Sequence, residues 1–145
     1  MRPDRIIVGE VRGAETVDML QAFGTGHDGS LSTGHGNGSK DMLNRLETMV
    51  LMGMDIPAAA VRRQLASGID VMIHLGRLRD RRRVLLEITE IDGCKDGEIL
   101  LNPIYRFCER GMDADGKIIG CWEKVGELHH REKLEMAGIG DDTRL

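Results

Sequence analysis

The chain has 145 residues, a net charge of −4, and 30% charged against 41% apolar residues. That length suffices for one domain with its own core, and the acidic balance argues against a basic nucleic-acid-binding surface spread over the molecule. No apolar run approaches the ~20 residues of a spanning helix; glycine is in excess at 19 residues, and only Phe23, Tyr105, Phe107 and Trp122 are aromatic, so an aliphatic, methionine-rich core is expected.

Met1 to Arg5 is too short and too charged for a signal peptide. Ile6–Val8 follows at once as an apolar run without alternation, which predicts a buried, parallel strand ending at Gly9-Glu10. A buried strand with so little chain before it suggests that a segment is missing upstream. Ala14–Phe23 reads as a helix with Val17, Leu20 and Phe23 near one face. Residues 24–38 hold six glycines, two histidines and the piece Ser30-Leu31-Ser32-Thr33, which predicts loop, short strand, loop. Ser39 is placed to cap the next helix and Asp41 suits its first turn. Met42, Leu43, Leu46, Met49 and Val50 form its apolar stripe, and Gly53 ends it. Pro57 opens a further helix to about Ser67, with Val61 and Leu65 inward.

From Ile69 the period changes to two. Ile69, Val71, Ile73 and Leu75 alternate with Asp70, Met72, His74 and Gly76, the pattern of a strand. Val84–Ile91 and Glu98–Phe107 form an antiparallel hairpin across a turn-forming loop at residues 92–97. Lys117–Trp122 adds a strand after the turn at residues 113–116, and a short helix fits Arg131–Met136, before a frayed end from Asp141. Cys94, Cys108 and Cys121 make no C-x-x-C pair and read as three buried or idle thiols of a reducing cytoplasm.

Two glycine patterns are decoys. Gly24–Gly29 matches G-x-G-x-x-G, but a helix precedes it and a strand follows, the reverse of what a dinucleotide site needs. Gly111-x-x-x-x-Gly116-Lys117 has P-loop spacing, but Ile118 stands where a magnesium-binding Ser or Thr belongs, so a hairpin turn is expected. Arg77, Arg79, Arg81, Arg82 and Arg83 surround Asp80 in a basic run whose default is a solvated turn, with an anion or subunit contact second.

A strand delivering Glu10 at its end is one way to place the carboxylate that holds Mg²⁺ or orients water in a nucleotide hydrolase; a solvated glutamate is the plain alternative. His27 and His35 lie in the glycine loop with Thr25, Ser32, Thr33 and Asn37. Zinc fits poorly there for want of a third close ligand. Backbone approach to a polyanion, with His, Thr and Asn donating hydrogen bonds, fits better. His74 is expected to pack within its strand, and His129-His130 to lie on the surface.

Together these motifs carry a resemblance. Arg2-Pro3-Asp4-Arg5-Ile6-Ile7-Val8-Gly9-Glu10-Val11-Arg12-Gly13 resembles the Walker B segment of the type II/type IV secretion ATPase superfamily. Residues 25–37, from Thr25-Gly26-His27 through Thr33-Gly34-His35-Gly36-Asn37, resemble its His box. Residues 45–53, Ile88-Thr89-Glu90-Ile91, the turn at 113–117 and Lys133-Leu134 with Ala137-Gly138-Ile139 are similar to the tight-adherence (Flp) pilus assembly branch. The resemblance implies an α/β fold: part of a RecA-like P-loop NTPase domain over residues 1–145, with a mostly parallel sheet, helices and a C-terminal antiparallel hairpin. It implies a hexamer that hydrolyses ATP with Mg²⁺ and drives pilus assembly or protein secretion, in the cytoplasm and peripheral to the cytoplasmic membrane, among inner-membrane platform proteins and without nucleic acid.

On that resemblance Glu10 and His35 look catalytic, with Glu10 acting on Mg²⁺ indirectly. Arg12, Thr25, Gly26, His27, Thr33 and Asn37 look nucleotide-binding, Arg12 also coupling the motifs. The family's Walker A loop, Asp box and N-terminal domain are not in these 145 residues, so the chain reads as the C-terminal half of a motor domain, with weak or absent ATP binding and no turnover alone. The other reading is a non-enzymatic module that docks with full-length ATPase subunits. Loss of the Walker A strand, which the resemblance puts beside the Walker B strand, is expected to expose an apolar sheet edge.

Overall fold

The computed structural model describes residues 3–27 and 29–139. Among these, the elements in order are β1 (Ile7–Val8), α1 (Thr16–Phe23), β2 (Leu31–Ser32), α2 (Ser39–Gly53), α3 (Ala58–Gly68), β3 (Val71–Arg77), β4 (Arg83–Lys95), β5 (Glu98–Met112), β6 (Ile118–Lys124) and α4 (Glu132–Met136). The strands make two sheets. β1 and β2 pair in parallel, Ile7 opposite Leu31 and Val8 opposite Ser32. β3, β4, β5 and β6 lie side by side in chain order, each antiparallel to the next. Among the described residues parallel pairing is thus confined to β1 and β2, where a mostly parallel sheet was expected, and the strand read from Ile69 joins the hairpin and the strand after it in one antiparallel sheet. The frayed end read from Asp141 lies outside the described residues.

The core sits among the first three helices. Met19 and Leu20 of α1, Leu43, Leu46, Met49 and Val50 of α2, and Val61 and Leu65 of α3 are buried together, with Val11 and Ile91 closing the cluster. The α2 stripe is therefore the one its spacing predicts, and the core is aliphatic and methionine-rich as the composition requires. Helix entry differs in detail. Gly38, not Ser39, is the capping position, and Ser39 is the first helical residue. Its hydroxyl donates instead to Glu87 Oε1 at 3.0 Å, tying α2 to β4. Asp41 reaches back from the first turn and accepts the backbone N–H of Asn37, just ahead of the helix, at 2.9 Å. Pro57 sits just before α3 instead of inside it.

The β4–β5 hairpin is longer than its apolar runs suggested. Asp92–Lys95 continue the strand, Lys95 pairs with Glu98, and the turn is only Asp96-Gly97. Both turn residues have positive φ, 53° and 81°, the geometry that favours Asp-Gly in a two-residue hairpin. The Gly111–Lys117 decoy is likewise a hairpin turn, with the Asp113 carboxylate accepting the Asp115 and Lys117 N–H groups at 3.0 and 2.8 Å. Cys108 and Cys121 stand opposite each other on β5 and β6 as free thiols; Cys121 is exposed, not buried.

Two strands are turned differently from expectation. Ile7 is exposed, so β1 is not a buried strand among the described residues. In β3 the apolar set faces out: Ile73 is 64% and Leu75 69% exposed, with Val71 exposed beside them. Met72, His74 and Gly76 take the inner positions, and Met72 packs on the helical core. Gly76 explains the orientation. A Cβ there would lie 2.1 Å from Leu86 Cδ1, so the Leu86 side chain occupies the space over the glycine.

The arginine run resolves as a turn with one clasp. Arg82 Nε donates to Asp80 Oδ2 at 2.7 Å, Ile118 N–H donates to the same oxygen at 2.8 Å, and Arg82 also donates to the Ile118 carbonyl. These bonds tie the β3–β4 turn to the start of β6. The Arg82 guanidinium, then the Ile118 N–H, hold the Asp80 carboxyl down to about 2 from 3.8, against the opposing effect of burial. A depressed carboxyl adds stability above its unfolded value and loses it as pH falls through the folded one. Asp80→Asn is therefore expected to unfold at lower temperature than the native chain near neutrality. The two should converge between pH 3.8 and about 2. Heat unfolding followed by Trp122 emission reads this, because the indole N–H donates to Leu85 O at 2.8 Å beside the clasp. A gap that stays constant to the acid end would contradict it.

Candidate functional site

The two-residue ladder of β1 and β2 is extended on both sides. Leu31 N–H donates to Ile6 O at 3.0 Å, Ile6 N–H to Ser30 Oγ at 3.0 Å, and Val11 N–H to Thr33 O at 3.1 Å. Thr33 Oγ1 donates to Gly9 O at 2.5 Å. Val11 is buried in the helical core and fixes the end of the segment. Glu10 is thereby held beside the chain that runs from β2 toward His35.

The Glu10 carboxylate has two different oxygens. Oε2 accepts from Arg12 Nη2 at 2.5 Å. Oε1 lies 2.9 Å from His35 Nε2. His35 thereby covers Oε1, which is shielded from solvent. The Arg12 hydrogen bond holds the Glu10 carboxyl below its ordinary value; partial burial opposes this, and the Arg12 and His35 charges add to it. Glu10 is thus an ionised carboxylate, 23% exposed at its side chain, with one oxygen against Arg12 and the other against His35.

Glu15 was not singled out by its sequence context. Its Oε1 accepts the Arg12 and Gly13 N–H groups at 2.8 and 3.1 Å, which shapes the turn from Glu10 into α1 and positions Arg12. The backbone N–H of Arg12, then that of Glu15 itself, keep the Glu15 carboxyl below its ordinary value against burial.

The remaining loop residues do not reach Glu10. Thr25 Oγ1 lies 2.6 Å from both Ala22 O and His27 Nδ1, closing a small knot at the end of α1. Asn37 is held by Asp41 through its backbone N–H at 2.9 Å and its amide at 3.3 Å. Gly26 and Gly29 have φ of 78° and 77°, which glycine adopts without strain. Gly36 lies against α2, where a Cβ would sit 3.0–3.2 Å from Met42 backbone and Cβ atoms. Turn geometry and close helix packing thus account for these glycines within the chain itself. Asp28 lies outside the described residues.

A groove of about 890 Å³ runs alongside. Its walls are the segment Gly29–Gly36 on one side and all of β3 on the other, with His27, His35 and His74 reaching it. β2 has one strand neighbour, β1, and β3 has one, β4. Each therefore turns an unpaired edge toward the same groove.

The sequence matches the family described as Type II/IV secretion system protein over residues 1–102. The chain belongs to the type II/IV secretion ATPase family. Among curated members it is 41% identical over 115 residues to "Putative conjugal transfer protein Rv3659c" of Mycobacterium tuberculosis, covering 79% of this chain and 32% of that protein. It is 36% identical over 78 residues to the type IV secretion system protein VirB11 of Brucella abortus, covering 52% of this chain and 22% of that one. The crystal structure of the VirB11 ATPase from the Brucella suis type IV secretion system in complex with sulphate superposes with a TM-score of 0.58 at 32% identity, over 62% of this chain and 28% of that one. The α/β arrangement is thus the RecA-like fold of the secretion ATPases. This chain spans about a third or less of the length of these relatives. No described helix is long and apolar enough to cross a membrane.

Proposed function

We propose that residues 1–145 act as the C-terminal part of a secretion-ATPase motor domain of the tight-adherence pilus branch, contributing the Walker B acid and the His box to a hexameric, Mg²⁺-dependent ATPase. The observation that carries this is the Glu10 carboxylate: partly exposed, held ionised, and clasped between Arg12 at one oxygen and His35 at the other. An acceptor in that state suits a water that is either attacking or ligated to Mg²⁺. Magnesium, when bound, neutralises charge on the transferring phosphoryl group; Glu10 would hold it indirectly. Arg12 and His35 keep Glu10 ionised and set its direction. Thr33 holds the acid-bearing segment against β2, and His27 stands at the groove on the same side. Thr25, Gly26 and Asn37 serve the loop's own geometry, so any contact they make to nucleotide is through their backbone.

These 145 residues contain no G-x-x-x-x-G-K-[ST] segment. The backbone nest and lysine that grip β- and γ-phosphates must therefore come from elsewhere. The groove between the β2 and β3 edges suits a strand from the polypeptide that carries it. The purified chain is expected to hydrolyse no ATP. Joined to, or mixed with, a family segment bearing the P-loop, it should regain turnover. Hydrolysis by the chain alone would overturn this reading. The open sheet edges also favour a second reading, in which the chain is a non-enzymatic module docking on full-length subunits at an inner-membrane platform. Co-purification with such subunits, with no dependence of their turnover on Glu10, would select it.

A further inference from the structure

We propose that Arg77 and Arg83 form an anion site that takes a phosphate chain at one end of the groove. The strand register puts them together. Arg77, the last residue of β3, stands directly opposite Arg83, the first of β4. Directly opposite residues of an antiparallel pair share a face, with Cβ atoms about 4.5–5.5 Å apart. Like charges in that arrangement repel and cost stability. Both side chains are exposed, and both line the groove.

Two other arginines of the same run are neutralised. Arg82 holds Asp80 at 2.7 Å, and Arg79 holds Glu109 at 2.7 Å. Asp80 cannot serve the opposed pair as well, because Arg82 and the Ile118 N–H already take its Oδ2, and the Arg82 N–H its Oδ1. Arg77 donates through Nε to a backbone carbonyl, Arg81 O, at 3.0 Å, which leaves its terminal nitrogens for another acceptor. Among the described residues neither Arg77 nor Arg83 pairs with a carboxylate.

The groove has the same bias. The chain as a whole is acidic, at −4. Among the described residues that line the groove, Asp70 is the only carboxylate, and Lys133 lies 3.3 Å from it. His35 and His74 add donors along the same walls. Guanidinium groups suit phosphate because their N–H groups form a planar fork that bridges two oxygens. A bound phosphate chain replaces the repulsion between the two arginines with charge-assisted hydrogen bonds. An uncompensated like-charge pair beside a basic groove is thus a local cost that an anion offsets, the pattern expected where a local rule is broken for function. The pair stands at the ends of its two strands and does not depend on what fills the space between the β2 and β3 edges.

Heat unfolding of the 145-residue chain at low salt, followed by Trp122 emission with increasing sodium tripolyphosphate, tests this. The unfolding temperature of the native chain should rise and then saturate. Arg77→Gln and Arg83→Gln should each need about 10–100-fold more ligand for the same rise. Arg81→Gln removes the same charge from the turn between them, at a residue that does not line the groove, and should respond like the native chain. Adenosine should have no effect. Stronger action by ATP than by tripolyphosphate makes a nucleotide the ligand; equal or weaker action makes it the phosphate chain alone. With no ligand, Arg83→Gln should unfold about 1–3 °C above the native chain, because it relieves the repulsion without breaking an ion pair. The absence of a saturable response overturns the site. So does a response that both Arg77→Gln and Arg83→Gln keep, one that Arg81→Gln also loses, one that adenosine reproduces, or an Arg83→Gln chain less stable than the native one.

Discussion

Glu10→Gln is expected to lower the turnover of the completed ATPase by about 10²–10⁴-fold, the range for loss of a positioned proton acceptor. The substitution keeps the shape of the side chain and one carbonyl oxygen. It removes the charge that Arg12 and His35 face and turns one acceptor into a donor. Nucleotide retention and assembly should change little, because the phosphate grip lies in the P-loop segment. The loss should therefore appear in kcat and not in KM. On the proposed reading a pH signature is expected as well. Arg12 holds the Glu10 carboxyl below its ordinary value, so the acid limb of the rate profile should lie lower than a free glutamate would give. Arg12→Ala removes that partner, and the limb should move up in pH. Single-turnover hydrolysis across pH, on both variants, reads these results. A Glu10→Gln enzyme with native kcat would remove Glu10 from the chemistry.

The parts of the fold legible in the sequence are those where one local pattern decides the outcome. The α2 stripe is of this kind, because its periodicity leaves few alternatives; the hairpin turn was legible only as a loop over residues 92–97, of which Asp96-Gly97 alone turns. β3 was legible as a strand, but alternation does not say which face is covered. The inner face is the less apolar one, because Gly76 leaves room for Leu86 from the next strand. Ser39 looked like a cap, yet its hydroxyl is taken by Glu87, 48 positions away. The resemblance singled out Glu10 and His35 separately, and their contact came only with the parallel register of β1 and β2. The cluster in which His129 and His130 each face Asp92 gave no local signal. Asp92 lies far from His129-His130 in the chain, and the sequence offered two surface histidines and an acid in an expected turn.

The same β3 geometry makes the second large prediction, one whose sign depends on context. Ile73→Asp is expected to improve the isolated chain and to disable the completed one. In the native chain Val71, Ile73 and Leu75 form an exposed apolar row beside an unpaired strand edge. Such an edge pairs with whatever strand is available, including another copy. A carboxylate in the middle of the row repels a second copy, so sedimentation velocity should show a monodisperse monomer where the native chain self-associates. On the proposed reading, the P-loop segment covers this row in the completed domain. The variant then loses about 1.5–3 kcal/mol from burial of the isoleucine and adds the cost of desolvating a carboxylate, a further several kcal/mol. Association of the two parts should weaken by at least about 10³-fold, since each 1.4 kcal/mol is tenfold, and recovered ATPase activity should vanish with it. Ile73→Val, which keeps the apolar row, should restore both behaviours. A native chain that is monodisperse from the start, or an Ile73→Asp chain that still completes the enzyme, would place the P-loop segment somewhere other than this groove.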